Sequence, residues 1–145
     1  MKIIPFKQVN TKDSFFDTFR KNYPEWDDWC ERKKDDMVYI DELDGKIISF
    51  MKLKIEYTQI IYPYKVEPEI SEKILKICSF KSLQYFCDSF LKYIEDYAHS
   101  ENIDVIYGTI FISTDTIKLY EFLNNNGFIP SGIKDNGEII ITKRL

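Results

Sequence analysis

Apolar residues along the chain alternate between a helical spacing and a strand spacing several times. An apolar run at residues 3–6 predicts a first strand. Thr11 then precedes three phenylalanines on one helical face, which indicates a capped amphipathic helix that ends before Pro24. A second helix is predicted over residues 26–34, where two tryptophans share one side and charged residues fill the other. The chain is thus predicted to begin with a strand and two helices.

A hairpin is predicted next. Residues 37–40 and 47–55 are rich in β-branched and aromatic side chains, and Asp44 and Gly45 lie between the two runs. An Asp-Gly pair favours the left-handed backbone that a tight hairpin turn requires. In the second strand, every other residue counted from position 47 is apolar or small, so we expect that face to point into the core.

The pattern after this hairpin predicts two strands, each followed by a helix. Residues 74–80 are mostly apolar and indicate a central strand, and from Leu83 the period becomes helical. Residues 105–112 are almost all apolar, as expected of a strand that is covered on both faces. A last helix follows and ends at Gly127, since glycine readily adopts the left-handed conformation that closes a helix.

A second hairpin closes the chain. Its strands are predicted at residues 128–134 and 138–142, with Asn136 and Gly137 in the turn. No repeat, low-complexity tract or linker divides the sequence. These elements predict one α/β (α+β) domain over residues 1–145, with a mixed, mostly antiparallel sheet of about six to seven strands and about four flanking helices.

Composition restricts the classes of function. With 24 acidic and 20 basic residues the net charge is -4, which offers no attraction for a nucleic acid. The three cysteines form no CxxC pair and His99 is the single histidine, so no metal site is expected. No apolar stretch is long enough to cross a membrane, and the first residues do not form a signal peptide. We therefore expect a cytoplasmic protein.

The order of predicted elements resembles the GNAT (N-acetyltransferase) superfamily along the whole chain. The hairpin around Asp44 and Gly45 resembles the second and third strands of that family. The run at residues 76–81, leading into Leu83, resembles the central strand and the helix after it. The segment 116–128, with its closing Asn-Gly-Phe, resembles the penultimate helix and the Gly-Phe that follows it in the family. The resemblance implies a GNAT-like fold.

The same resemblance implies an activity. GNAT enzymes move an acetyl group from acetyl-CoA to a primary amine, which attacks the thioester directly and needs no metal. For this chain it implies acetyl-CoA as co-substrate and a small-molecule or protein amine as acceptor. The tyrosines at positions 57, 62 and 64 fit a dimer surface as well as a core, so the sequence does not decide whether the protein forms a homodimer.

The family also implies where acetyl-CoA would bind. Backbone groups of the central strand polarise the thioester carbonyl, and N–H groups at the start of the next helix hold the diphosphate. The positions that match these roles are Ile77, Cys78, Ser79, Gln84, Tyr85, Cys87, Asp88 and Ser89. The family's phosphate loop is rich in glycine, whereas this chain has no glycine between Gly45 and Gly108. Side chains in the loop obstruct a close approach of the diphosphate.

Two further residues are candidates for proton transfer. Tyr120 matches the acid that protonates the departing thiolate, although the family position itself, four residues before the Gly-Phe, is Leu123 here. Packing between helix and sheet is the other interpretation of Tyr120. Glu72 lies ahead of the central strand, where family members often carry a base. A solvated loop carboxylate is its other interpretation.

The glycine-free loop keeps a second function open. A GNAT-like module with a degenerate acetyl-CoA site would bind a ligand or a protein without catalysis. Acetyl-CoA binding is the property that distinguishes this alternative from a transferase.

Overall fold

A computed structural model describes residues 1–57, 73–83 and 88–145. These residues form seven strands, four α-helices and two short 3-10 turns. The strands are β1 (Lys2–Pro5), β2 (Met37–Leu43), β3 (Lys46–Tyr57), β4 (Lys73–Ser82), β5 (Val105–Ile110), β6 (Ile129–Ile133) and β7 (Ile139–Arg144). The α-helices are α1 (Asp17–Asn22), α2 (Trp26–Arg32), α3 (Asp88–Ser100) and α4 (Ile117–Asn125).

The seven strands form one mixed sheet in the order β1-β2-β3-β4-β5-β7-β6. The pairs β1–β2, β2–β3, β5–β7 and β6–β7 are antiparallel, and β4 pairs with β5 in parallel. A parallel pair needs a crossover connection, and α3 lies in the chain between β4 and β5. The predicted fold class, a mostly antiparallel sheet with four helices, is confirmed.

Both predicted hairpins form around their glycine turns. Asp44 and Gly45 have φ angles of 52° and 77°, the left-handed pair that a two-residue turn requires. The predicted inward face of β3 is incomplete, however. Phe50 and Lys52 are as buried as Met51, at 0%, 2% and 0% exposure. The middle of β3 is covered on both faces, so alternation alone could not identify its core side.

The first predicted helix begins later than its sequence indicates. A 3-10 turn at Ser14–Phe16 precedes α1, and the Asp13 carboxylate accepts a hydrogen bond from the Phe15 N–H. Asp13 therefore caps this segment instead of Thr11. A side chain capping an N–H two residues ahead satisfies one of the donors that a helix start leaves unpaired.

Leu83 itself lies outside the helix that the sequence predicts to begin there. The described part of that helix, α3, starts at Asp88, while Leu83 is 58% exposed and donates its N–H to the Ile48 carbonyl. The predicted apolar stripe is confirmed in the helix itself, where Phe90, Ile94 and Ala98 are buried. Cys87, which continues the same helical period in the sequence, lies outside the described residues.

Helix α4 ends as predicted, at a glycine. Gly127 has φ 93°, and its N–H donates to the Asn124 carbonyl at 3.2 Å. The Phe128 N–H donates to the Leu123 carbonyl at 3.0 Å. These two bonds form a Schellman motif, which satisfies carbonyls that the helix end would leave unpaired.

The described chain divides into two compact units. The first contains residues 1–52 and 80–83, and its core is an aromatic cluster that includes Phe6, Phe16, Trp26 and Phe50. The second contains residues 53–57, 73–79 and 88–145, with a buried cluster around Ile74 and Val105. The single domain over residues 1–145 stays a prediction. Within the described part, no helix is long and apolar enough to span a membrane.

The edge strands of the sheet are β1 and β6. Each contains a proline, Pro5 in β1 and Pro130 in β6. The register between β6 and β7 shifts between Pro130 and Gly132. Proline has no N–H to donate, so its presence fits an edge position.

Candidate functional site

Ile77, Cys78 and Ser79, the first residues predicted to contact acetyl-CoA, lie on β4 in its parallel pair with β5. The register joins residues 75–77 of β4 to 106–108 of β5, and β4 continues to Ser82. Ile77 lies opposite Gly108, where a Cβ added to the glycine would meet the Ile77 Cβ at 3.5 Å. Cys78 and Ser79 follow directly after the paired residues.

The residues predicted to contact acetyl-CoA fall into three groups. Ile77 is buried at 8% exposure, and Cys78 and Ser79 are half-buried in β4. Asp88 and Ser89 open α3 and are exposed. Gln84, Tyr85 and Cys87 lie outside the described residues. Residues 77–79 of β4 and the described start of α3 belong to the second compact unit.

The start of α3 carries a negative charge. Helix N-termini expose N–H groups and a partial positive charge, which together attract anions. Asp88 is in the first turn of α3, where its carboxylate interacts favourably with that end of the helix. A bound diphosphate would compete with this carboxylate for the same partial charge.

Tyr120 lies in the first half of α4 and is half-buried. Its hydroxyl has no hydrogen-bond partner among the described residues. Leu123, at the position where the family typically has its tyrosine, is buried at 5% exposure and packs in the core. A half-buried phenol without a partner can donate a proton to a ligand. Glu72, the predicted base, lies outside the described residues.

A polar group that the sequence analysis missed spans three strands of the second unit. The Tyr107 hydroxyl in β5 donates to Glu56 Oε2 in β3 at 2.7 Å. Glu56 Oε1 lies 3.5 Å from Lys54 Nζ. Lys76 Nζ in β4 lies 5.9 Å from the centre of the Tyr107 ring. We call these four residues the Glu56–Tyr107 group.

The surroundings of Tyr107 make its phenol a weaker acid than an ordinary tyrosine. Burial is the first cause that raises the pKa of Tyr107, and the hydrogen bond to Glu56 is the second. The charges of Glu56 and Cys78 raise the pKa of Tyr107 further. The phenol therefore keeps its proton, and this proton holds the Glu56 carboxylate in place.

No local signal in the sequence points to this group. Glu56 and Tyr107 are 51 positions apart, and each lies in a strand whose pattern is otherwise ordinary. A tyrosine inside the nearly continuous apolar run of β5 is the one hint, because a buried phenol needs a partner. The identity of that partner follows only from the order of the strands.

Comparisons with known proteins address the fold. No protein-family model matches the sequence, and no curated protein matches it significantly. Solved structures do match. A GNAT-family acetyltransferase from Streptococcus agalactiae 2603 is 12% identical with a TM-score of 0.61, over 99% of this chain and 95% of that one.

Two other structures extend the likeness. Chaetomium thermophilum Naa20, solved with a bisubstrate analogue, is 14% identical with a TM-score of 0.59, over 100% of this chain and 87% of that one. The aminoglycoside 6'-N-acetyltransferase from Enterococcus faecium is 16% identical with a TM-score of 0.57, over 99% of this chain and 97% of that one. Element order, the parallel β4–β5 pair and these full-length matches agree: the chain has the fold of the GNAT acetyltransferases.

Proposed function

We propose that the protein transfers an acetyl group from acetyl-CoA to a primary amine of a small molecule or a protein. The observation that carries this proposal is the likeness to GNAT acetyltransferases over 99% or more of this chain. The bisubstrate analogue bound to Chaetomium thermophilum Naa20 supports a two-substrate site in this fold. No metal takes part in the proposed reaction.

The reaction is a direct displacement at the thioester carbonyl. The amine nitrogen attacks the carbonyl carbon, a C–N bond forms, and the C–S bond breaks as the nitrogen loses a proton. Backbone groups of Ile77, Cys78 and Ser79 would polarise the carbonyl oxygen, as preorganised dipoles do in other acyl transfers. Tyr120 would give its proton to the departing thiolate of CoA, which then leaves as the thiol.

A second function has its own support. The absence of glycine between Gly45 and Gly108, together with Asp88 in the first turn of α3, favours a module with a degenerate acetyl-CoA site. Such a module would bind a protein or another ligand without turnover. The two functions differ in one measurable property, the binding of acetyl-CoA.

Thermal melting with millimolar acetyl-CoA tests the proposal. A ligand at about 100 times its dissociation constant stabilises the folded state by about 2.7 kcal/mol. For a chain of this length we expect the melting midpoint to rise by roughly 9 °C. Pantetheine, which lacks the diphosphate, is the matched control and should give a smaller shift. An unchanged midpoint with acetyl-CoA and with free CoA would favour the non-catalytic module.

A further inference from the structure

We propose that Glu56, positioned by Tyr107, is the base that takes a proton from the amine acceptor. This inference rests on the proposed acetyl transfer and assigns the proton acceptor that the reaction needs. Glu72 was the candidate from the sequence. The Glu56–Tyr107 group instead offers a carboxylate whose position is defined by a neighbouring strand.

The carboxylate of Glu56 has one oxygen engaged and one available. Oε2 accepts the Tyr107 hydroxyl at 2.7 Å, which is a short hydrogen bond with a fixed direction. Oε1 lies 3.5 Å from Lys54 Nζ, beyond the usual hydrogen-bond distance, and that lysine is 52% exposed. The Glu56 side chain itself is 16% exposed. Oε1 can therefore receive a proton from a ligand while Oε2 stays anchored.

The group lies next to the strand segment that would hold the thioester. In the parallel register Tyr107 pairs with Lys76, the residue before Ile77. The Cys78 side chain is close enough to Tyr107 to raise its pKa. Since side chains alternate along a strand, Lys76 and Cys78 point to the face on which Ile74, Val105 and Tyr107 pack together.

The charges around the group also favour the reactive form of an amine. The charged and titratable side chains next to Glu56 and Tyr107 in the described residues are Lys54, Lys76 and Cys78. Two ammonium groups beside one carboxylate leave the site net positive. Nearby positive charge disfavours an ammonium ion relative to the neutral amine. The neutral amine is the form that attacks a carbonyl carbon.

The proton balance of the step is complete. The nitrogen of the incoming ammonium gives one proton to Glu56 Oε1, and its lone pair then forms the C–N bond. As the C–S bond breaks, Tyr120 protonates the departing thiolate, and the nitrogen loses its second proton, which restores the Tyr120 phenol. Tyr107 keeps its proton throughout and is a positioning residue. Glu56 returns the proton to solvent after the product leaves.

The test compares Glu56→Gln with the control Glu101→Gln. Both variants remove a carboxylate that is paired with a lysine, and Glu101 lies 3.2 Å from Lys73 Nζ. The assay follows CoA thiol release from acetyl-CoA with n-butylamine as acceptor, and melting shifts measure acetyl-CoA binding for each variant. We expect Glu56→Gln to bind acetyl-CoA normally and to lose about 100-fold or more in kcat/KM at pH 7, as removal of a general base does. Glu101→Gln should behave as wild type.

The pH profile separates a base from a structural carboxylate. The loss of kcat/KM in Glu56→Gln should become smaller above about pH 10, because an alkylamine is then neutral without the help of a base. Tyr107→Phe removes the hydrogen bond that positions the Glu56 carboxylate, so it should lower kcat for n-butylamine while the melting shift with acetyl-CoA stays unchanged. A Glu56→Gln deficit that is absent, or equal at every pH, would overturn the assignment. Wild-type protein that binds no acetyl-CoA would overturn the proposed function itself.

Discussion

Lys52 is the most buried charged side chain of β3. Its side chain is 3% exposed, and Nζ lies 3.1 Å from Asp36 Oδ2. Nζ also lies 5.9 Å from the centre of the Trp29 ring, which attracts a cation through its face. A buried ammonium group is costly without a partner, so Asp36 and Trp29 together allow this lysine to remain in the core of the first unit.

Asp36→Asn should therefore destabilise the protein. It removes the charge partner of a buried cation, and we expect a loss of about 1–3 kcal/mol in the free energy of unfolding by urea titration. Asp35→Asn is the control in the adjacent residue. Its Lys7 partner is 57% exposed, so that pair should contribute less than about 1 kcal/mol. Equal losses in the two variants would contradict the argument.

At this scale the sequence predicts residues whose role depends on their own strand or helix. Tyr120 is a candidate because it lies one helical turn before Leu123, the position where the family typically has its tyrosine, and its hydroxyl has no partner among the described residues. Glu56 was not found, because its role depends on Tyr107, which a different strand supplies. Side-chain pairs across strands depend on register, which no single segment of sequence encodes.

The closing turn of α4 shows what one glycine contributes to an element. At Gly127 a Cβ would meet Lys143 Cε at 3.3 Å, on a backbone with φ +93°. At Gly45 the φ angle is +77°, and no atom lies within 4 Å of the added Cβ. The two positions therefore share backbone strain but differ in crowding.

Alanine at these two glycines should separate strain from crowding. Gly45→Ala should lower the free energy of unfolding by about 1 kcal/mol, the penalty for an alanine in the left-handed conformation. We expect Gly127→Ala to cost more, since Lys143 must move and its ion pair with Glu95 would be disturbed. Chemical denaturation of both variants measures the difference. If Gly127→Ala loses no more free energy of unfolding than Gly45→Ala, the Lys143 side chain moves aside without a measurable cost.

The first turn of α3 gives a test of the phosphate site. Asp88→Asn removes the carboxylate that competes with a diphosphate for the helix N-terminus. If acetyl-CoA binds there, its affinity should rise about two- to fivefold at low salt, in keeping with ~0.3–1 kcal/mol for a charge at a helix end. Asp96→Asn makes the same charge change two turns farther along α3 and should leave the affinity unchanged. Isothermal titration with acetyl-CoA measures both, and equal affinities would place the diphosphate elsewhere.

Elements with strong local signals were predicted well. Both hairpins and the end of α4 depend on Asp-Gly or Asn-Gly pairs, whose conformational preference is intrinsic to a few residues. The start of α1 was predicted too early, and Leu83 lies outside α3. Apolar residues such as Leu83 continue a helical period beyond the helix, and periodicity alone does not identify the capping residue.

At the scale of the whole molecule, the order of elements along the sequence was sufficient to predict the fold class. Each strand and helix is a local pattern, and few topologies fit that order. The parallel pairing of β4 with β5, which joins residues 75–77 to 106–108, was not predicted from the sequence. The burial of β3 on both sides was not predicted, because it arises from helices and strands distant in sequence.

The prolines in the outermost strands limit how the sheet can associate. An exposed strand edge is a template for further strands, and Ile129 and Ile133 are 59% and 62% exposed on β6. Pro130 interrupts the row of donors on that strand, and Pro5 does so at the opposite margin. Growth of the sheet into fibres is therefore opposed at both margins, even though apolar side chains face water there.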